Sequence, residues 1–457
     1  MNKKPSSKGK INQPRLVRGM KDILPSESNY WEHIRKVTER LAQDHGFSFA
    51  ATPILEDKNL FVRSIGETTD IVEKEMFSFV DQGGDTLVLR PENTASIVRA
   101  YIEHGWVNLP QPVKVWYWGS MFRRERPQAG RYREFHQFGF ETLGDGQPVN
   151  DAQLIMLAYN FFLDLKLDVS LQINSLGTKE SREKYKKVLA EYYKSHKRKL
   201  CDDCKKRLLK NPLRLLDCKE EQCAELAIDA PQIIDYLSEE DTHHFTQVLE
   251  YLDELELPYS LNPRIMRGLD YYSRTAFEIW PNEEPGARQS ALGGGGRYDG
   301  LAELLGGRPT PAAGFAVGIE RVIALLRERQ VYIPGPDTPD IFLAQLGDAS
   351  RRRALKLFDE LRLAGFTVAE SFSKDSIKQQ LEVANRLNIS ITLILGQKEI
   401  IDGTILFRDM ESGTQEVVNY DKVIQELSKR IDKVRNHNDI KITRSENPIP
   451  REDENNE

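Results

Sequence analysis

The chain has few cysteines and no long apolar run. Only 4 of its 457 residues are Cys, too few for the disulfide framework that holds small secreted domains together. No apolar stretch reaches the roughly 18 residues of a membrane span, and the basic N-terminus lacks the apolar core of a secretory signal. We therefore expect a soluble, cytoplasmic protein with no membrane partner.

The chain also lacks an excess of basic residues. Its 64 Lys and Arg stand against 70 Asp and Glu, a net charge of -6. This balance excludes a nucleic-acid-binding surface that covers the whole protein, but not a local basic groove. No GxxxxGK[ST] phosphate loop occurs anywhere, so a bound nucleotide would need a different kind of site.

What is present is typical of a globular protein, with 39% apolar and 29% charged residues. Residues 1–14 are polar and basic, which favours a disordered arm, and 431–457 form a charged tail. The prolines of VYIPGPDTP mark a linker at 329–339. The boundaries predict a main domain over 15–328 and a smaller domain over 340–430.

Periodicity predicts the elements of both domains. Tyr30, Ile34, Val37 and Leu41 have the spacing of a helix with one apolar face. Short strands and hairpin turns then predict an antiparallel sheet, interrupted by a helical insertion at about 170–255. After the linker, strands alternate with helices, which indicates a small α/β domain with a parallel sheet.

The most informative segment is MFRRERPQAGRYREFHQFGFETLG, residues 121–144. Because side chains alternate across a strand, Phe135, Gln137, Gly139 and Glu141 share one face. An aromatic ring, an amide, a gap and a carboxylate on one face are typical of a binding site for a small polar ligand. The arginines before this strand could also form a solvated hairpin tip.

Four other segments combine charge with glycine or aromatic residues. They are RPENTA at 90–95, RGLDYY at 267–272, LGGGGRYDGL at 292–301 and GFAVGIER at 314–321. Each also has a simpler interpretation: a helix cap at Glu92 and Thr94, a surface charge at Arg267, and a loose turn at the glycines. Arg321 would oppose the dipole at a helix start, so an anion should lie nearby.

Together these five segments resemble the histidyl-tRNA synthetases, a family of class II aminoacyl-tRNA synthetases. RGLDYY and GGRYDGL resemble the two signatures specific to that family. The resemblance implies an α+β fold with a six-stranded antiparallel class II sheet, helices, and a C-terminal α/β anticodon-binding domain. It also implies a homodimer, in which the helix and strand that end at Pro53 form part of the interface.

The resemblance also implies the chemistry. ATP with Mg²⁺ and L-histidine would give histidyl-adenylate and pyrophosphate, and histidine would then pass to the 3′ end of tRNA(His). Arg123 and Arg267 would be catalytic, because they would grip the α-phosphate. The ATP-binding residues would be Arg123, Glu125, Phe135, which stacks on adenine, and Arg321.

The amino-acid pocket follows from the same resemblance. Its residues would be Glu92, Thr94, Arg123, Gln137, Glu141, Arg267, Tyr271 and Tyr272. Glu141 and Tyr272 would read the imidazole nitrogens, while Glu92, Thr94 and Gln137 hold the amino and carboxylate ends. A pocket with buried polar groups rejects analogues that leave those groups unpaired, so no editing domain is expected.

An alternative is a regulatory subunit of ATP phosphoribosyltransferase, which resembles the same catalytic domain without aminoacylating tRNA. Such subunits usually lose the catalytic arginines and the anticodon domain. Here Arg123, Arg267 and Arg321 are present, and an α/β domain follows the linker. The sequence therefore favours the enzyme.

Four cysteines lie close together in the predicted insertion. Cys201, Cys204, Cys218 and Cys223 form a CxxC pair and, thirteen residues later, a CxxxxC pair. Four thiolates are a possible structural zinc site. The spacing differs from the common CxxC…CxxC ribbon, and free buried cysteines are the alternative.

Overall fold

The computed structural model describes residues 13–66, 69–125, 131–216, 218, 220–266, 269–282, 291–335 and 338–431. The chain divides into two compact units between Ile333 and Pro334, inside the predicted linker. Residues 1–12 of the predicted arm and 432–457 of the predicted tail lie outside the described residues. None of the described helices has the length and apolarity needed to cross a membrane.

Within the part of the first unit that the structure describes, there are eleven strands. In chain order they are β1 (Ser48–Phe49), β2 (Leu55–Asp57), β3 (Phe77–Val80), β4 (Thr86–Leu89), β5 (Val113–Phe122), β6 (Glu134–Leu143), β7 (Val169–Ser175), β8 (Ser260–Leu261), β9 (Ser273–Pro281), β10 (Gly293–Arg297) and β11 (Ala312–Gly318). Eight of them form one sheet in the order β1-β5-β6-β11-β10-β9-β7-β8, and β2-β4-β3 form a small antiparallel sheet.

The predicted six-stranded antiparallel sheet is confirmed as the middle of the large sheet. Its strands β5, β6, β11, β10, β9 and β7 pair antiparallel. The two short edge strands β1 and β8 pair parallel to their neighbours, and β8 was not predicted. The strand expected to end at Pro53 is reduced to the two residues of β1.

The described residues of this unit form ten α-helices. They are α1 (Ser28–Asp44), α2 (Lys58–Ile65), α3 (Thr94–Glu103), α4 (Pro148–Asp164), α5 (Lys179–Ser195), α6 (Asp202–Lys210), α7 (Glu221–Ile228), α8 (Glu239–Glu254), α9 (Leu301–Leu304) and α10 (Ile319–Glu328). The first of them confirms the predicted spacing, because Ile34, Val37 and Leu41 are buried on one face of α1.

The main core lies on one face of the large sheet. Helices α1, α4, α8 and α10 pack there, over apolar side chains of β6 and β11 such as Phe138, Phe140 and Phe315. A second core, which includes Tyr117 and Met121 of β5, joins the opposite face to α3 and to α5–α7. One face of the sheet is therefore closed by helices, while the other also holds the site described below.

The predicted start of the helical insertion at about residue 170 is wrong. Val169–Ser175 is strand β7 of the large sheet and pairs with β9. Its buried side chains Val169, Leu171 and Ile173 alternate along the chain, which is the period of a strand rather than a helix. The run of helices therefore begins with α5.

The second unit is the predicted small α/β domain. Its elements are β12 (Ile341–Gln345), α11 (Asp348–Leu363), β13 (Val368–Glu370), α12 (Ile377–Arg386), β14 (Ile391–Leu395), α13 (Gln397–Asp402), β15 (Thr404–Asp409) and β16 (Gln415–Asn419). The sheet order is β13-β12-β14-β15-β16. The first three strands are parallel, as expected, whereas β15 and β16 form an antiparallel hairpin that was not predicted.

Candidate active site

A cavity of about 270 Å³ lies beside the central strands of the large sheet. Nine of the eleven predicted site residues line it: Glu92, Thr94, Arg123, Glu125, Phe135, Gln137, Tyr271, Tyr272 and Arg321. The other two are Glu141, which is buried away from the lining, and Arg267, which lies outside the described residues. Side chains as distant in sequence as Glu92 and Arg321 thus meet at one cavity.

Strand β6 supplies the cavity wall as its alternation predicts. Phe135 and Gln137 both line the cavity. The gap expected at Gly139 is filled by the neighbouring strand, because a Cβ on Gly139 would lie 2.4 Å from the phenolic oxygen of Tyr117. Tyr117 pairs with Gly139 across β5 and β6 and itself lines the cavity. Only the pairing register of the two strands reveals this contact.

Glu92 caps a helix and lines the cavity at the same time. Its carboxylate accepts the backbone N–H of Thr94 at 2.6 Å and of Ala95 at 3.0 Å, at the start of α3. The hydroxyl of Tyr271 donates to the same carboxylate at 3.4 Å. Burial raises the pKa of Glu92, and the two N–H donors oppose that shift. The capping interpretation and the binding interpretation are therefore compatible.

Glu141 lies directly behind this wall. It is 0% exposed. One carboxylate oxygen accepts the hydroxyl of Thr94 at 2.8 Å, and the other accepts the hydroxyl of Tyr298 at 2.5 Å. Burial raises the pKa of Glu141 to about 8, against the effect of both hydroxyl donors. Direct contact between Glu141 and the ligand was expected. In this conformation Glu141 does not line the cavity and instead contacts the lining residue Thr94.

The other end of the cavity is rich in arginine. Arg123 donates from Nε to the carbonyl of Pro91 at 2.9 Å, and its guanidinium carbon lies 5.2 Å from the ring centre of Phe135. Glu125 and Arg131 form an ion pair at 3.2 Å. The backbone contact holds Arg123 in place and leaves its other nitrogens available for a ligand.

Arg321 lies in the first turn of α10, as predicted. Its Nη1 donates to the carbonyl of Ala291 at 2.5 Å. Burial lowers the pKa of Arg321, and the nearby cation Arg131 acts in the same direction. Positive charge thus accumulates at this end of the cavity, and an anionic ligand would relieve it.

The four consecutive glycines form a strand rather than a loose turn. They make up most of β10, between β9 and β11. A Cβ on Gly295 would lie 2.1 Å from the carbonyl oxygen of Gly314, so no larger side chain fits there. Gly293 and Gly294 line the cavity. The run of glycine therefore brings backbone directly to the site.

The arginine of the GGRYDGL segment stabilises the fold rather than the cavity. Arg297 is 0% exposed and pairs with Asp151 of α4 at 2.6 Å. Asp151 also contacts Nε2 of His244 at 2.8 Å and accepts the hydroxyl of Thr275 at 2.7 Å. This buried network ties β10 to α4 and α8.

Five polar residues of the lining were not predicted from the sequence. They are Tyr117, Arg131, Tyr132, Glu278 and Glu320. Glu320 stands next to Arg321 and accepts the backbone N–H of His136 at 2.9 Å. Arg131 is one of the arginines that precede β6, which the sequence indicated only as a group. Position in the sequence gave no signal for Glu278, which lies on β9.

Comparisons with known proteins identify the family of this chain. The family described as "Histidyl-tRNA synthetase" matches residues 19–322, and the one described as "Anticodon binding domain" matches 340–430. A histidine–tRNA ligase of Dehalococcoides mccartyi (strain ATCC BAA-2266 / KCTC 15142 / 195) is 48% identical over 415 residues, covering 91% of this chain and 99% of that protein. One from Pelotomaculum thermopropionicum is 45% identical, covering 91% and 97%.

A solved structure is also similar. The apo histidyl-tRNA synthetase of S. aureus superposes with a TM-score of 0.76 at 34% identity, covering 91% of this chain and all of that one. The family match spans well over half of the chain, and the relatives align along nearly their whole length. On sequence, fold and site together, the chain belongs to the histidyl-tRNA synthetase family.

Proposed function

We propose that the chain attaches L-histidine to tRNA(His) in two steps. In the first step, a histidine carboxylate oxygen attacks the α-phosphorus of ATP, and the bond to pyrophosphate breaks. In the second step, a hydroxyl of the terminal adenosine of the tRNA takes the histidyl group, and AMP leaves. The observation that carries this proposal is one cavity with the buried carboxylate of Glu92 at one end and three arginines at the other.

The arginine end suits ATP. A carboxylate that approaches a polyanion needs fixed positive charge, and charge held in place before the reaction stabilises the transition state. Arg123 would contact the α-phosphate together with Arg267, and Arg321 would contact the γ-phosphate and cover the adenine. Phe135 would stack on the other face of the adenine, and Glu125 would accept from its amino group.

Magnesium would accompany ATP. Mg²⁺ prefers carboxylate and phosphate oxygens, and the carboxylate of Glu278 lines the same cavity. This side chain fits a metal held chiefly by the nucleotide. The ion would supply further neutralisation of phosphate charge. The four cysteines do not line this cavity, so the reaction does not involve them.

The carboxylate end suits the amino acid. Glu92 is nearly buried and faces the cavity, so it can pair with the α-ammonium group, and Thr94 and Gln137 add polar contacts. Tyr271 and Tyr272 close the pocket, and Tyr272 would contact the imidazole. Glu141 would act on the imidazole end, either directly after a side-chain movement or through Thr94, to which it is hydrogen-bonded.

The tRNA would contact both units. Unpaired bases of a loop are what proteins read in RNA, and the second unit, whose family is described as an anticodon-binding domain, would read the anticodon. The arginines of segment 123–133 would approach the acceptor end. Since the reaction consumes tRNA and ATP, we place the protein in the cytoplasm.

A homodimer is part of this proposal. Apolar side chains remain exposed around β1 and the chain that follows it: Phe49 is 53%, Ile54 45% and Leu55 44% exposed. Exposed apolar side chains clustered along one segment are typical of a protein interface. It coincides with the segment ending at Pro53 that the family resemblance places at the dimer contact.

A regulatory role without aminoacylation is the alternative. Against it, Arg123 and Arg321 both line the cavity, and the second unit follows the linker. The discriminating experiment is aminoacylation of purified tRNA(His) by the full chain with radiolabelled histidine and ATP. We expect charging with histidine and none with glutamine or phenylalanine.

A pair of matched variants tests the role of the arginines in the cavity. Arg123→Ala should lower ATP–pyrophosphate exchange by about a hundredfold or more, the usual effect of removing one preorganised donor. Arg308→Ala is the control, because Arg308 is exposed and does not line the cavity. A wild-type chain that binds histidine without exchange or charging would overturn the proposed function.

A further inference from the structure

The four cysteines converge in the structure although 22 positions separate the first from the last. Cys201 precedes α6, Cys204 lies in its first turn, and Cys223 lies in α7. The four Sγ atoms all lie within 4.8 Å of one another. Zinc–sulfur bonds of about 2.3 Å in a tetrahedron separate the sulfurs by about 3.8 Å. The sulfurs of Cys201 and Cys218 are 3.9 Å apart, close to that value.

Backbone donors already point at two of these sulfurs. The N–H of Cys204 donates to Sγ of Cys201 at 3.4 Å, and the N–H of Cys201 donates to Sγ of Cys223 at 3.3 Å. Such contacts around a metal site orient the ligands and stabilise their thiolate form. The thiols are not joined as disulfides. Burial in an apolar core would not by itself bring all four sulfur atoms together.

A metal crosslink would stabilise this local fold further, beyond the support of the second core. Helix α6 has 9 residues and α7 has 8, both too short to be stable without tertiary support. A 3₁₀ turn at Pro212–Leu215 connects them. A single ion bound by ligands before, within and after these elements would hold all three together.

This segment also contacts two loops beside the candidate active site. Arg214 pairs with Asp270 at 3.2 Å, next to Leu269 of the cavity lining. Arg207 pairs with Asp70 at 3.4 Å, next to the lining residue Ile71. Exposed ion pairs contribute little unless both partners are already rigid, so these contacts depend on the order of α6 and the 3₁₀ turn.

We propose that Cys201, Cys204, Cys218 and Cys223 bind one zinc ion, and that this ion fixes segment 201–223 against the two loops beside the candidate active site. Four zinc–sulfur bonds form, and the thiol protons pass to solvent, so no oxidant is needed. The metal has no part in the reaction. This inference stands apart from the proposed function, since a zinc site would exist whether or not the chain charges tRNA.

Metal content tests the first half of the proposal. The full chain, purified under reducing conditions without chelator, should contain one zinc per chain, and p-mercuribenzoate should release it. Cobalt(II) exchanged into the same protein should show the visible bands of a tetrahedral thiolate site. No zinc as purified and none taken up by the reduced protein would overturn the proposal, as would disulfides found by mass spectrometry.

Variants separate loss of metal from loss of fold. Cys204→Ser should lower zinc content, while Lys206→Ser, an exposed residue of the same helix, should keep it. The cobalt spectrum of the wild-type chain decides the matter if Cys204→Ser fails to fold. Equal zinc content in both variants would contradict the assignment of Cys204.

Kinetics test the second half. Zinc removal from the full chain should raise the KM for histidine severalfold in pyrophosphate exchange, and added zinc should reverse the change. Arg214→Ala should raise the same KM with zinc content unchanged. If zinc removal leaves this KM unaltered, the proposed link to the loops is wrong.

Discussion

The hydroxyl of Thr94 donates to a carboxylate oxygen of Glu141 at 2.8 Å, which joins the first residue of α3 to strand β6. Thr94 lines the cavity, and Glu141 lies behind it with no exposed surface. The position of Thr94 in the cavity wall therefore depends on Glu141, a buried side chain that does not itself line the cavity.

Replacing Glu141 should affect histidine far more than ATP. Glu141→Ala removes the shared acceptor and leaves the hydroxyls of Thr94 and Tyr298 unpaired in a buried place. A lost hydrogen bond to a buried charged or polar group costs about 1.5–3 kcal/mol, so the KM for histidine should rise about tenfold or more. Separate KM values from pyrophosphate exchange measure this. Glu141→Gln, which keeps one acceptor, should show a smaller change, and equal increases in both KM values would contradict the assignment.

The raised pKa of Glu141 predicts how stability changes with pH. Its ordinary value is 4.5, and in the folded chain it is about 8. Between these values the unfolded chain has released the proton while the folded chain keeps it, so stability falls as pH rises. Glu141→Gln cannot titrate. The free energy of unfolding of the wild-type chain, relative to that of Glu141→Gln, should therefore decline by about 3–4 kcal/mol from about pH 5 to pH 8. Thermal unfolding of both chains across this pH range measures the decline. A difference that stays constant over this range would show that Glu141 is ionised in the folded chain.

The buried pair of Arg297 and Asp151 should be costly to break. Arg297→Met leaves the carboxylate of Asp151 buried with its strongest partner gone. Removing one member of such a pair costs about 3–5 kcal/mol. The urea midpoint of unfolding should fall accordingly, and the double variant Arg297→Met, Asp151→Asn should lose less than the sum of the two single variants. Arg308→Met, at an exposed position, is the control. If Arg297→Met and Arg308→Met unfold at similar urea midpoints, Arg297 does not have the proposed structural role.

The second unit should be separable from the chemistry. Each unit has its own buried apolar clusters, and the division falls between Ile333 and Pro334. A fragment that ends at Ile333 should therefore fold and form histidyl-adenylate at a rate near that of the full chain. Its transfer of histidine to tRNA should fall about tenfold or more, because anticodon contacts help to position the acceptor end. Weak, salt-sensitive tRNA binding should remain through the arginine-rich segment.

Two results would contradict this separation. Normal charging of tRNA by the fragment would show that the second unit is not needed for tRNA binding. Loss of adenylate formation in a folded fragment would show that the second unit contributes to the active site. Pyrophosphate exchange and tRNA charging, measured on the same preparation, distinguish the two.

The sequence by itself determined the features that depend on local periodicity. The helix spacing of Ile34, Val37 and Leu41 and the alternation of Phe135 and Gln137 are both found in the structure. The second unit and its linker follow from composition and from strands that alternate with helices. Local geometry is sufficient here, because a helix or strand sets the direction of each side chain from its own backbone.

Only the tertiary structure decided which of those side chains reach the cavity. Glu141 has the same strand parity as Gln137, yet Thr94 and Tyr298 enclose it, and Tyr117 fills the space above Gly139. Strand β7 was hidden within a predicted helical region, and its partner β9 lies about 100 positions away in the chain. Burial depends on neighbours brought together from distant parts of the sequence, and a periodic pattern within one segment carries no information about them.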